Sequence, residues 1–147
     1  MPLKRIPKLI PLSHEHHDSL LLCWKIREGI KNETKPEQIH AYLKWYWDAV
    51  LKKHFEKEEI QIFPILGVKN SLIQQLLNQH KEIEISIKKE SINKDEIQKI
   101  ERLIFHHIRT EERELFELLQ NEYIEEIPKI DKENFIDSYE DTFWLKK

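Results

Sequence analysis

Histidine and glutamate recur at one spacing in two places along the chain. HFEKEEIQIFPIL begins at His54 and HIRTEERELFELL at His107, and both read H-x-x-x-E-E-x-x-[IL]-F-x-[IL]-L. On a helix, residues four apart lie on neighbouring turns of one face. His54 with Glu58, and His107 with Glu111, can therefore each offer one nitrogen and one oxygen to a common centre. Metal ions accept imidazole nitrogens and carboxylate oxygens together. This donor set suits iron, zinc or manganese, and its lack of thiolates argues against a cysteine-type structural zinc site. Two glutamates facing each other from different helices can bridge two ions, so the expected centre is dinuclear.

The elements that must position these residues read as four helices. The first is expected from Ser13, as an N-cap after Pro11, to about Lys31. The second opens at Thr34-Lys35-Pro36-Glu37, a capping box with proline in the first turn, and ends before Pro64. Gly67 and Asn70 mark the next turn, a third helix covers roughly residues 71–90, and a fourth runs from a cap-like start near Asn93 to about Tyr123. Short connections predict an all-α, antiparallel up-down-up-down four-helix bundle with a short N-terminal arm and a C-terminal tail. One domain spans 1–147, with its core at about 12–123.

Helical periodicity then selects the inward residues. His54 and Glu58 share a stripe with Trp47, Leu51 and Ile62. His107 and Glu111 share one with Ile104 and Leu115, and His80 lies with Ile73, Leu76, Leu77 and Ile83. On the first helix the apolar direction points nearest His16, with His17 as the alternative. The four histidines lie at similar depths from their shared turns, so they are expected to meet at one level. The second glutamates, Glu59 and Glu112, read as solvated, His40 as a polar-face residue and Cys23 as small core. Phe63 and Phe116 are expected to wall the site. Trp45 is a candidate exposed residue on a homodimer face.

Composition bounds the rest. Of 147 residues two are glycine, 35% are charged and 39% apolar, a mixture that suits amphipathic helices rather than an all-β fold. A net charge of −3 with interleaved signs and no basic patch argues against nucleic acid. No apolar run approaches the ~20 residues of a membrane span. One cysteine and no signal-like N-terminus lead to the expectation of a cytoplasmic protein.

The segments LSHEHHDSLLLCWKIREGI and LLNQHKEIE, with the two H-x-x-x-E-E-x-x-[IL]-F stretches, together resemble the hemerythrin-like family, or HHE cation-binding domain, over about residues 12–120. The resemblance implies a four-helix bundle with a non-heme di-iron centre. Its ligands would be His16 (or His17), His54, Glu58, His80, His107 and Glu111, with both glutamates bridging. A ferritin-like centre fits less well, because it wants glutamate where these helices offer histidine. Oxygen-carrying hemerythrins have H-x-x-x-H on the third helix, whereas here Glu84 stands in the second position. Glu84 either coordinates or turns away and leaves room for water or a small ligand. The fourth-helix carboxylate is also Glu at the fourth position, where those carriers have Asp at the fifth. The pattern resembles the branches that sense or handle iron, oxygen or nitric oxide. The expected function is binding of iron and a small diatomic ligand, for sensing, storage or iron handling. Competing classes are a di-iron oxidase or peroxidase, and a structural or adaptor bundle with zinc or no metal.

Overall fold

In a computed structural model of the chain, residues 4–131, 133 and 135–145 are described. They form helices with no strand among them. Helix α1 is Ile10–Lys31, entered through a 3-10 turn at Pro7–Leu9. Helix α2 occupies residues 36–62, α3 is Ser71–Ile87, and α4 occupies 94–122.

Local chemistry explains most of these bounds. Helix α1 starts three residues before the expected Ser13, because Pro11 sits in its first turn, where the missing N–H would have had no partner anyway. Ser13 is thus inside the helix and its hydroxyl donates to the Glu112 carboxylate. The capping box expected at Thr34 does not form. Lys35 is the N-cap, Pro36 starts α2, and the Thr34 hydroxyl donates instead to the Phe143 carbonyl. Asn70 caps α3 by accepting from the N–H groups of Leu72 and Ile73. A reciprocal capping box between Asn93 and Glu96 opens α4, as the sequence predicts. Helix α3 ends at Ile87 rather than near Glu90, and His40, read as a polar-face residue, is buried there. Its Nε2–H donates to the Ile87 carbonyl at 2.8 Å, which satisfies one of the helix's orphaned terminal acceptors.

The apolar core falls into two clusters. One gathers Leu9, Leu12, Ile62, Phe63, Ile73, Leu76, Leu115, Phe116 and Leu119. The other holds Leu22, Ile26, Tyr42, Tyr46, Ile83, Ile87, Ile97, Ile100 and Ile104, among others. The inward histidine of α1 and α3, and the inward glutamate of α2 and α4, lies between the helix's contributions to the two clusters, so a polar layer divides the core.

The C-terminal tail, which has no helical period, runs along the bundle. Ile127 and Ile130 join the first cluster, while Phe135, Tyr139, Phe143 and Trp144 pack on the second. Trp45, expected to be exposed, is half-buried, and its ring lies against Phe135, Tyr139 and Tyr42. Gly29 makes the docking possible, since a Cβ there would come within 2.7 Å of the Phe143 ring.

Candidate metal centre

Six side chains meet in the polar layer. His16, His54, Glu58 and Glu111 form one group of closely spaced ligand atoms, and Glu58, His80, His107 and Glu111 form a second. The groups share both glutamates, which have no exposed surface. Every histidine of the layer is buried, and aromatic rings close around them. Phe55 stacks on His80 at 3.8 Å, Phe63 lies 5.3 Å from the same ring, and Phe116 stacks on His16 at 5.3 Å.

The two repeated segments share a backbone device as well as a sequence. Each glutamate opens a π-helical turn, Glu58–Ile62 in α2 and Glu111–Leu115 in α4. The N–H of Phe63 reaches back to the Glu58 carbonyl, and that of Phe116 to the Glu111 carbonyl. Such turns insert one extra residue and concentrate at functional sites. The phenylalanine of the shared pattern therefore both closes the π turn and walls the site. A further π turn, Trp47–Leu51, lies earlier in α2.

A second layer of side chains orients the imidazoles. The Nδ1–H groups of His16, His54 and His80 donate to Glu112 (2.9 Å), Glu15 (3.1 Å) and Glu59 (2.8 Å), and that of His107 donates to the Gln79 side-chain oxygen (2.6 Å). A carboxylate or an amide oxygen can only accept, so each imidazole carries a proton on Nδ1 and turns Nε2 inward, where it can hold either a second proton or a metal ion. The inward atoms crowd one space. His80 Nε2 lies 3.1 Å from His107 Nε2, and Glu111 Oε1 lies 3.0 Å from His16 Nε2 and 3.1 Å from His107 Nε2. Glu58 Oε1 lies 3.2 Å from His80 Nε2 and 3.4 Å from His54 Nε2, without hydrogen-bond alignment. His54 Nε2, both Glu58 oxygens and Glu111 Oε2 have no hydrogen-bond partner. Buried polar atoms left without a partner cost ~1–3 kcal/mol each unless a proton or a metal ion lies among them.

The electrostatics carry the same sign. Burial disfavours charge on His16, yet Glu111, Glu112 and Glu58 outweigh it and raise its pKa well above the usual histidine range. Burial likewise opposes protonation of His80, but Glu58 and Glu59 raise it to about 9. On Glu58 burial favours the neutral acid, and His54, His16 and His80 overcome it to hold the carboxyl well below its ordinary range. The pocket attracts positive charge, which a metal ion supplies without protons.

The structure thus gathers His16, His54, Glu58, His80, His107 and Glu111. His17 is exposed and outside the cluster. Glu84 also points away and pairs with Lys88 at 2.6 Å. Cys23 is buried, as expected of a small core residue, and its surroundings push the thiol up to about 12. The outer partners Glu15 and Gln79 do not appear in the sequence reading, and Glu59 and Glu112, expected to be solvated, instead accept from His80 and His16. The doubling of glutamate in both repeats was the available signal: the first faces the centre, and the second holds a histidine of the next helix.

The family model for the hemerythrin HHE cation binding domain matches residues 8–119. No curated protein and no solved structure matches the chain.

Proposed function

Because the chain belongs to the hemerythrin HHE cation-binding family, we propose that it holds two iron ions between α1, α2, α3 and α4 and presents them to a small diatomic ligand, oxygen or nitric oxide, for sensing, storage or iron handling. In this reading His16 and His54 would hold one ion and His80 and His107 the other, with Glu58 and Glu111 shared between them. The observation that carries it is the convergence of four buried imidazoles and two unexposed carboxylates on one space, with His54 Nε2, both Glu58 oxygens and Glu111 Oε2 left without a hydrogen-bond partner. Hydrogen bonds among these groups leave those four atoms unsatisfied, and two cations would take them all as ligands. The nitrogen and carboxylate donors suit non-heme iron, and zinc or manganese share enough of that preference to compete.

The place for a small ligand follows from a missing donor. Glu84 faces Lys88 rather than the centre, so each group has two histidines and the shared carboxylates. A metal held by such a set would keep open positions able to take solvent or a diatomic molecule. The aromatic wall of Phe55, Phe63 and Phe116 favours small apolar entrants over bulky organic substrates.

The same reading makes the bundle antiparallel. Its support is the brevity of the connections and the mixture of helix starts and ends in each core cluster.

The deciding experiment is metal content per chain on protein purified without a metal-affinity tag, together with its visible spectrum in air. About two irons with a charge-transfer band supports the reading. Metal-free protein whose melting temperature is unmoved by anaerobic ferrous iron sinks it.

A further inference from the structure

The outer hydrogen bonds do more than orient single rings, because they form a closed circuit. Glu15 on α1 holds His54 on α2, Glu59 on α2 holds His80 on α3, Gln79 on α3 holds His107 on α4, and Glu112 on α4 holds His16 on α1. In two of these links the holding residue directly precedes an inward histidine; in the other two it directly follows an inward glutamate. Every helix gives one holder and receives one. The circuit is symmetric in position and asymmetric in charge, since three holders are carboxylates and Gln79 is a neutral amide.

The two halves differ further in how firmly the holders are fixed. Glu15 is buried and takes a second bond from Lys57 Nζ at 2.9 Å. Glu112 also accepts from Ser13, pairs with Arg5 at 3.5 Å, and has its backbone carbonyl bonded by the same arginine. These cations offset part of the carboxylate charge but lock the geometry. On the other half, Glu59 has 43% of its side chain exposed and is screened by solvent, and Gln79 brings no charge. A carboxylate that accepts from Nδ1–H makes the imidazole a stronger donor to metal, and loss of such a partner typically weakens binding 10–100-fold.

We propose that the two ion positions load in order, the His16–His54 half first and the His80–His107 half second, with Gln79 setting the gap between them. The inference rests on the dinuclear reading above. It gives the centre a half-loaded state over a range of metal concentration, which suits a protein that reports or releases iron rather than one that keeps both ions permanently.

The test is calorimetric titration of the full, metal-stripped chain with zinc ion alone. Native protein should take up two ions in steps whose affinities differ on the order of 10–100-fold. His107→Ala should remove the weaker step and His54→Ala the tighter one. Gln79→Glu should strengthen the second step and Glu15→Gln should weaken the first, so both near-isosteric variants should merge the steps from opposite ends. Circular dichroism identifies any variant that has lost its helices, and either of the two suffices. Two equal native steps, the reverse order, or a gap unmoved by both variants would overturn ordered loading and leave the dinuclear centre standing. Uptake of no ion, or of one, would overturn the dinuclear reading and this inference together.

Discussion

Two polar clusters interrupt the interior, and they are built on opposite rules. Where the tail docks, Lys25 Nζ and the Tyr42 hydroxyl both donate to Asp137 Oδ2 at 2.5 Å, and the Tyr139 N–H donates to Oδ1 at 3.0 Å. Lys25 also lies 4.2 Å from the centre of the Trp144 ring. Donors there match acceptors, and the one anion meets one cation. In the polar layer, by contrast, imidazole nitrogens and carboxylate oxygens crowd one space, and several have no partner. A cluster that closes on itself fastens one segment to another. A cluster that cannot close needs a cation from outside, which is why only the second reads as a site.

The sharpest way to break this contrast is to remove a shared carboxylate. Glu58→Ala takes a ligand from both groups at once, so metal content by mass spectrometry should fall to near zero, while Lys25→Met should leave it unchanged. Removing the cation should come next in size. For an ion present at ~1,000 times its dissociation constant, chelation withdraws about 4 kcal/mol of stability. In a domain of this size that lowers the melting temperature by about 10 °C. A calorimetric scan that chelator leaves unmoved would show the layer to be as self-sufficient as the tail cluster.

Lys25→Met should cost about 1–3 kcal/mol by leaving Asp137 without its cation, and Trp144 fluorescence should shift to the red as the tail loosens. The tail cluster also predicts a pH dependence. Burial pushes the Asp137 carboxyl up, but the bonds from Lys25 and Tyr42 prevail and hold it below the usual aspartate range. An acid depressed in the folded state contributes stability that is present above its unfolded value, about 3.9, and lost as pH falls through the folded one. Tail docking followed by tryptophan emission should therefore persist from neutrality to about pH 4 and fail only below. Release already between pH 6 and 5 would contradict the pairing. The smallest effect belongs to Glu84→Gln, which should leave metal uptake unaltered and stability within about 0.5 kcal/mol.

Much of the layer is legible from one helix at a time. His54, Glu58, His107 and Glu111 fall on apolar stripes because each helix must bury one face, and the stripe choice of His16 over His17 agrees with the exposed position of His17. The circuit of holders is not legible that way. Glu15, Glu59 and Glu112 lie off their own stripes and resemble ordinary surface charges until the neighbouring helix is in place. His40 escapes for a similar reason: its partner is the carbonyl end of α3, which no period of α2 can show. The tail escapes because it has no period at all, and its aromatic residues acquire a place only through Gly29 and the rings of α2.

Burial of the shared carboxylates has a kinetic side. Glu58 and Glu111 have no exposed surface, so an ion reaches or leaves them only when the helices part, and exchange is timed by that opening. Among the carboxylate holders, Glu59 reaches furthest into solvent, which makes the contact of α2 with α3 the side that can part without undoing the arm at Arg5 or the tail at Asp137. The dwell time of an ion then belongs to the breathing of two helices as much as to the strength of its bonds.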